Sequence, residues 1–491
     1  MKFFFIILLI IFPSSILKSQ VPDTLWTKTI GGANKESGYS VQQTNDGGYI
    51  IAGMTNSFGA GDYDVYLAKT NQQGDTLWTR TYGGALQDFA SEVQQTADGG
   101  YIIIGGTKSF NNGIDDLYLI KTDDNGDTLW TKVFGGLWGD VGRSIKQDIN
   151  GNYIATGYTM SFDPGNADVW VLKFNETGDT LWTRRIGGSQ EEYGASIIQS
   201  KNGGYIITGY TQSFGLNHDV YLIRLDSTGD TVWIKHYGKQ GSDFGEDVLE
   251  LDDGGFIIAG YTTSYGIGDY DCYLVRVNLN GDTLWSKHYG GESDDKAYAI
   301  ELFEDGFVLG GYTYNEGSTE RDAFIIKTNF NGDAIWTKTI GGLYNDFGFD
   351  INKTNDNGLI LTGEFDKYGD GNHDVWLVRI DNIVTGLENE FFPTHYILSQ
   401  NYPNPFNPST KIKFTIPQSP LPGGDGRGGL QHVKLVVYDV LGNEVATLVN
   451  EEKPAGEYEV EFNAKGLPSG IYFYRLIAGS YIKTRKMILL K

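Results

Sequence analysis

A tryptophan returns seven times along this chain, at Trp26, Trp78, Trp130, Trp182, Trp233, Trp285 and Trp336, spaced by 51 or 52 residues. A period of that length constrains the fold more than any local motif. Each unit must be one supersecondary element that buries its apolar faces against its neighbours. The first unit reads DTLWTKTIGG, ESGYSVQQT, NDGGYIIAGMT and DYDVYLAKT, four short runs rich in β-branched and aromatic residues and bounded by Gly, Asn and Asp. No stretch sustains an apolar period of 3.6, so the pattern predicts strands and no helices. Between the second and third runs every unit carries an Asx-Gly pair: Asp46-Gly47, Asp98-Gly99, Asn150-Gly151, Asn202-Gly203, Asp253-Gly254, Asp305-Gly306 and Asn357-Gly358. Such pairs supply the positive φ of a tight hairpin. Four-stranded antiparallel meanders in seven copies predict an all-β chain with a seven-bladed β-propeller over residues 21–385. A stacked solenoid is the competing architecture, but its coils are shorter and need distinct end caps.

The ends of the array sharpen the choice. Six units run through a Gly-Asp turn into the next Trp strand, whereas the last stops at Asp381 without one, and the Trp strand at 23–30 has no unit before it. An open stack would leave both edges unpaired. The mismatch predicts that residues 23–30 form the outermost strand of the final blade beside 374–380 and close a ring. The repeated Trp side chains are expected to pack between blades. The Gly pairs (Gly31-Gly32, Gly83-Gly84, Gly187-Gly188) are expected at crossings that need permissive φ, with Lys239 the one departure.

Charge and cysteine usage exclude several functions. With 62 acidic and 38 basic side chains the net charge is −24, which opposes binding to nucleic acid. One cysteine, Cys272, allows neither an internal disulfide nor a Cys-based zinc site, and a buried inert thiol is expected there. The six histidines form no His-Glu-x-x-His pair, and Gly-x-Ser-x-Gly elbows and phosphate loops are missing. No catalytic residue is assigned.

Binding is expected on the face carrying the blade crossings and the variable loops between third and fourth strands, such as SFGAGDYD at 57–64 and KYGDGNHD at 367–374. One acid recurs there in each unit: Glu36, Asp88, Asp140, Glu192, Asp243, Asp295 and Asp346, followed two residues later by Gly or Ala. Seven carboxylates at the mouth of a central channel are candidate ligands for a cation such as calcium, or for a basic or polyhydroxylated molecule. The competing reading, which the sevenfold repetition favours, is that each accepts backbone N–H bonds and orders its own crossing loop. No other cofactor is indicated. A second repeated acid (Asp64, Asp116, Asp168, Asp219, Asp271, Asp322, Asp374) is expected to bond loop amides. Trp138, His218, the 315–321 loop and His373 break the repeat without forming an evident set.

Both ends carry an address. Lys2 followed by the ten-residue apolar run Phe3–Phe12 reads as a secretory signal peptide over 1–20, too short to span a bilayer. No later segment is apolar enough to cross a membrane, so a mature chain without a transmembrane segment is expected. After Asp381 the Trp repeat stops. A linker at 386–396 precedes alternating strands and Pro/Gly turns over 397–491, enough for a small immunoglobulin-like β-sandwich. The run Tyr402-Pro403-Asn404-Pro405-Phe406-Asn407-Pro408, the segment Tyr438-Asp439-Val440-Leu441-Gly442, and Gly470-Ile471-Tyr472-Phe473-Tyr474 before a basic end resemble the type A C-terminal sorting domain of the type IX secretion system of Gram-negative bacteria. That resemblance implies that the domain engages the type IX machinery, steers the cargo across the outer membrane, and is often removed as the cargo is attached or released. The insertion at 417–429 departs from the pattern and reads as a flexible hairpin tip. The repeats are similar to propeller repeats of such exported proteins.

Together these features predict an exported, monomeric binding or adhesion module for an extracellular glycan or protein. The alternative is a secreted hydrolase or lyase acting on polysaccharide at the same face. A self-associating surface-layer component is a third reading.

Overall fold

The computed structural model describes residues 21–110, 114–162, 166–215, 217–314, 320–381, 383, 396–416, 431–453, 456–479 and 481–490. The signal-peptide segment 1–20, nearly all of the linker and the insertion at 417–429 lie outside the described residues. The chain divides into two compact units, Met1–Thr385 and Gly386–Lys491.

All described secondary structure in the first unit is β, in seven four-stranded antiparallel sheets. One sheet holds Glu36–Gln43, Tyr49–Thr55, Asp64–Thr70 and Thr76–Tyr82, termed here its first, second, third and outer strands. Five further sheets repeat that order, starting from Asp88–Gln95, Asp140–Gln147, Glu192–Gln199, Asp243–Glu250 and Asp295–Phe303. The last holds Asp346–Lys353, Leu359–Asp366 and His373–Ile380, and its fourth strand is Thr24–Ile30, with Trp26 opposite Arg379 and Ile30 opposite Val375. Each first strand contacts the next one along the chain, and Asp346–Lys353 contacts Glu36–Gln43.

Burial explains the composition of each strand. Second and third strands are covered on both faces, so they read as nearly continuous apolar runs such as YIIIGGT and DLYLIKT. Outer strands have one open face and alternate, as in TLWTKTI. The core lies between sheets. Ile50, Ala52, Val65 and Leu67 meet Val93, Ile103 and Tyr118 of the next sheet, and Ile360, Val375 and Leu377 of the last sheet meet Val41, Ile51 and Tyr66 of the first. Each Trp also reaches forward. Trp26 packs edge-on against Tyr49, Trp78 against Tyr101, Trp130 against Tyr153 and Trp233 against Phe256, with ring centroids 5.9 to 6.3 Å apart.

The crossing glycines have a different cause from the one expected. Among the first glycines of the crossings only Gly83 has a positive φ, +159°, which is close to extended backbone. Their Cα atoms instead lie against the third-strand Asp of the preceding sheet. A Cβ on Gly31, Gly135, Gly187 or Gly341 would fall 1.6 to 2.0 Å from a carboxylate oxygen of Asp374, Asp116, Asp168 or Asp322. The repeated Asp and the repeated Gly are one steric unit.

In the second unit, strands Ile397–Leu398, Ser409–Ile416 and Gly456–Asn463 form one sheet. A four-stranded sheet is ordered Glu444–Lys453, Gln431–Tyr438, Gly470–Ala478, Tyr481–Leu489. Phe406, Ile412, Phe414, Leu435, Val437, Tyr474, Leu476 and Met487 share its core.

Candidate functional site

The seven first strands supply most of the wall of one cavity of about 620 Å³. Each carries the same irregularity. Pairing with the second strand slips by one residue just after the small Gly or Ala, as between Gly38 and Ser40 or Gly142 and Ser144. The extra residue is a β-bulge, which leaves the ladder and re-aims its side chain. The bulged residues are Tyr39, Ser91, Arg143, Ala195, Glu246, Tyr298 and Phe349, and all seven line the cavity. The frame around them repeats, whereas the residues in this tier almost all differ.

The next tier inward, Ser40, Glu92, Ser144, Ser196, Asp247, Ala299 and Asp350, ties sheet to sheet. Ile145 donates its backbone N–H to Glu92 Oε2 at 2.6 Å, Ile300 to Asp247 Oδ2 at 3.1 Å, and Val93 and Ile197 to the Ser40 and Ser144 hydroxyls at 3.3 Å. A third tier does the same: Gln147 donates to Gln94 Oε1 at 2.7 Å and Lys353 to Glu301 Oε1 at 3.1 Å. Lys146 of this tier pairs with Glu92. Burial opposes the charge on Lys146, but the Glu92 carboxylate outweighs it and lifts the ammonium pKa. Burial and neighbouring carboxylates push Asp350 up to about 8 and Glu301 up to about 7, and burial raises Asp247 as well.

Two bulge-tier charges are not used this way. Arg143 is exposed to the cavity and makes no hydrogen bond or ion pair among the described residues. Glu246, two sheets on, is raised mainly by burial, with Arg143 and Lys296 acting on it electrostatically from beyond ion-pair distance. Across the tier, Phe349 contacts Tyr39 at 5.3 Å and Tyr298 at 6.1 Å between ring centroids.

None of the seven acids singled out by the sequence lines this cavity. Glu36, Asp88, Asp140, Glu192, Asp243 and Asp346 are fully buried and Asp295 nearly so. Each takes the amide that opens its crossing: Gly32 to Glu36 at 2.6 Å, Gly84 to Asp88 and Gly136 to Asp140 at 2.8 Å, Gly188 to Glu192 at 2.6 Å, Lys239 to Asp243 at 3.1 Å, Gly291 to Asp295 at 2.7 Å and Gly342 to Asp346. A threonine ending the second strand donates to the other oxygen in five sheets, as Thr55 does to Glu36 at 2.7 Å. These carboxylates pin the crossing to the neighbouring loop from behind the channel wall. In the second acidic set, Asp64 accepts from the Ala60 amide, Asp168 meets Arg185 and Asp219 meets His236. Among the described residues no group of three or more His, Cys, Asp or Glu is placed to hold a metal ion.

His373 belongs to a polar cluster that the sequence did not disclose. Glu364 joins His373 Nδ1, the Ser37 hydroxyl of the first sheet and, at 3.1 Å, Lys35 Nζ. Asp366 lies 3.8 Å from His373 Nε2. Glu364 occupies a second-strand position held in other sheets by Tyr158, Tyr210, Tyr261 and Tyr312, and that substitution was the available signal. Trp138 and His218 stand elsewhere: Trp138 is about half exposed on a crossing, and His218 packs against Tyr210 and Phe244. Cys272 is buried, and burial raises its thiol well above the usual range.

Residues 400–490 match the family of secretion system C-terminal sorting domains. That domain marks the chain as exported through a type IX system, to be attached at the cell surface or released, and implies contact with the secretion machinery. No helix of the described residues is long and apolar enough to cross a membrane. The chain is 24% identical over 392 residues to regulatory protein FlaEY of Caulobacter vibrioides, covering 64% of this chain and 40% of that one. It is 20% identical over 373 residues to an uncharacterized WD repeat-containing protein, L264, of Acanthamoeba polyphaga mimivirus, covering 66% and 23%. The chain therefore spans less than half the length of these curated relatives. Among solved structures it is similar to PorZ, a surface component of the type IX system of Porphyromonas gingivalis, with TM-score 0.41, 12% identity and 94% and 60% coverage. It is also similar to the polysaccharide lyase Uly1, with TM-score 0.45, 11% identity and 76% and 94% coverage. At these scores neither likeness extends to a site or an activity.

Proposed function

We propose that the first unit is a closed seven-bladed β-propeller serving as an exported binding or adhesion module, whose ligand enters the central cavity from the face bearing the crossings. The observation that carries this reading is the bulge tier. A frame that repeats its turns, glycines and carboxylates sheet after sheet presents an aromatic group, a cation, a carboxylate and two small residues at one equivalent position. Uniform positions serve the fold, and variable ones facing a cavity serve recognition. Aromatic faces beside convergent polar groups suit an extracellular glycan or a peptide. The buried crossing acids belong to the frame and not to a calcium site.

Full-length protein screened on glycan and peptide arrays should give hits that Tyr298→Ala and Phe349→Ala weaken together. Hits indifferent to both would move the site out of the cavity. The polysaccharide-acting enzyme remains the second reading because His373 is held between Glu364 and Asp366. Turnover of any glycan hit, lost in His373→Gln, would establish it.

A further inference from the structure

Of the charges in the cavity wall, Glu92, Asp247, Asp350 and Glu301 accept backbone N–H groups from the neighbouring sheet, and Lys146 pairs with Glu92. Arg143 and Glu246 stand apart from that belt. They occupy equivalent bulges flanking that of Ala195, and all three side chains line the cavity. The guanidinium has no partner among the described residues and is solvated from the cavity, and the carboxylate is not within ion-pair distance of it. Facing them in the same tier are the rings of Tyr298, Phe349 and Tyr39. A guanidinium binds a carboxylate through two parallel N–H bonds, a carboxylate binds an ammonium, and aromatic faces take an apolar or ring-bearing group. A cavity of about 620 Å³ is of the size that encloses a small molecule and is too small to accept a folded partner.

We infer that this cavity binds a zwitterion of the amino-acid class with an aromatic or apolar side chain, its carboxylate on Arg143, its ammonium on Glu246 and its side chain against Tyr298, Phe349 and Tyr39. This deepens the reading of the cavity as the ligand site and rests on it. A purely anionic ligand would leave Glu246 without a counter-charge, and a purely cationic one would leave Arg143 without one. A ligand carrying both charges satisfies each without exposing the other to repulsion.

The test is isothermal titration of the full-length protein with L-phenylalanine, phenethylamine, which lacks the carboxylate, and 3-phenylpropionate, which lacks the ammonium. The amino acid should bind at least about tenfold tighter than either analogue, the scale of one charge-assisted contact. Arg143→Gln should erase the preference over phenethylamine only, and Glu246→Gln the preference over 3-phenylpropionate only. Both side chains project from bulges, so unchanged melting curves should accompany these losses. Equal binding of all three compounds, or no binding of phenylalanine by protein whose melting curve is intact, overturns the inference. Array hits that remain sensitive to Phe349→Ala in that case leave the wider reading of the cavity standing, and hits indifferent to it remove both.

Discussion

Val41 donates its backbone N–H to Asp350 Oδ2 at 2.9 Å, joining residues 309 apart in the sequence. The bond is the same one that Ile145 makes to Glu92 and Ile300 to Asp247. It stitches the final sheet to the first as those stitch neighbours along the chain. Removing the acceptor leaves a buried amide without a partner, which costs about 1–3 kcal/mol. Asp350→Ala should therefore lower the unfolding free energy by that order in urea melts, whereas Asp350→Asn, which keeps a carbonyl oxygen for Val41, should cost much less. Equal losses in the two variants would mean that the bond to Val41 is not what Asp350 contributes.

The same residue predicts how stability varies with pH. Burial, then the Asp247, Glu92 and Glu301 carboxylates, raise Asp350 from 3.8 to about 8 in the folded chain, and burial raises Glu301 from 4.5 to about 7. Groups raised by folding make the native state bind more protons than the unfolded one. Their favourable contribution is complete below about pH 4 and is lost as the pH climbs through 7 and 8. The melting temperature should fall between pH 5 and about pH 8.5, and Asp350→Asn, which carries no charge at any pH, should flatten the fall. A wild-type melting temperature that rises across this window would contradict the assignment.

Gly135 separates two reasons for a repeated glycine. Its φ is not in the left-handed region, but a Cβ there would lie 1.8 Å from Asp116 Oδ1. Gly135→Ala should destabilise the protein by about 1–3 kcal/mol, the range for overpacking. Adding Asp116→Ala should restore part of that loss. Additive effects in the double variant would show that the clash with Asp116 is not the cause, since residues in contact are expected to couple.

These examples mark how far the sequence is readable. The hairpins were legible because Asx-Gly reports a local backbone requirement. The strand at 24–30 pairing with 373–380 was legible from a count of strands left over at the two ends. The bulge was not, because a one-residue slip in register depends on how seven strands crowd together, and nothing in ESGYSVQQ alone marks Tyr39 as the residue expelled. The crossing acids illustrate the same limit. Their repetition was plain, but whether Asp140 faces the channel or Gly136 depended on packing. The buried cations Lys69, Lys121 and Arg379, each held by the hairpin Asp46, Asp98 or Asp356, also went unread, since a Lys or Arg near a strand end looks like a surface residue.

The opening strand offers the most direct test of the ring. Thr24–Ile30 is the outer strand of the last sheet, and its Trp26 extends beyond that sheet to Tyr49 of the first. Without it, the strand His373–Ile380 would expose an apolar edge, VWLVRI, with its backbone groups unpaired. Trp26→Ala should cost about 3 kcal/mol, at the low end for a large aromatic truncated in a core, because Trp26 is only partly buried. Deleting residues 24–30 should cost far more and promote association through the freed edge. Replacing Asp370 by Ala, which removes hydrogen bonds only to Asn372 of the same exposed loop, should leave the melting temperature within a few degrees of wild type. A deletion variant that stays monomeric by light scattering and melts with the parent would show that the strand adds nothing to the array, and with it the closed propeller would be lost.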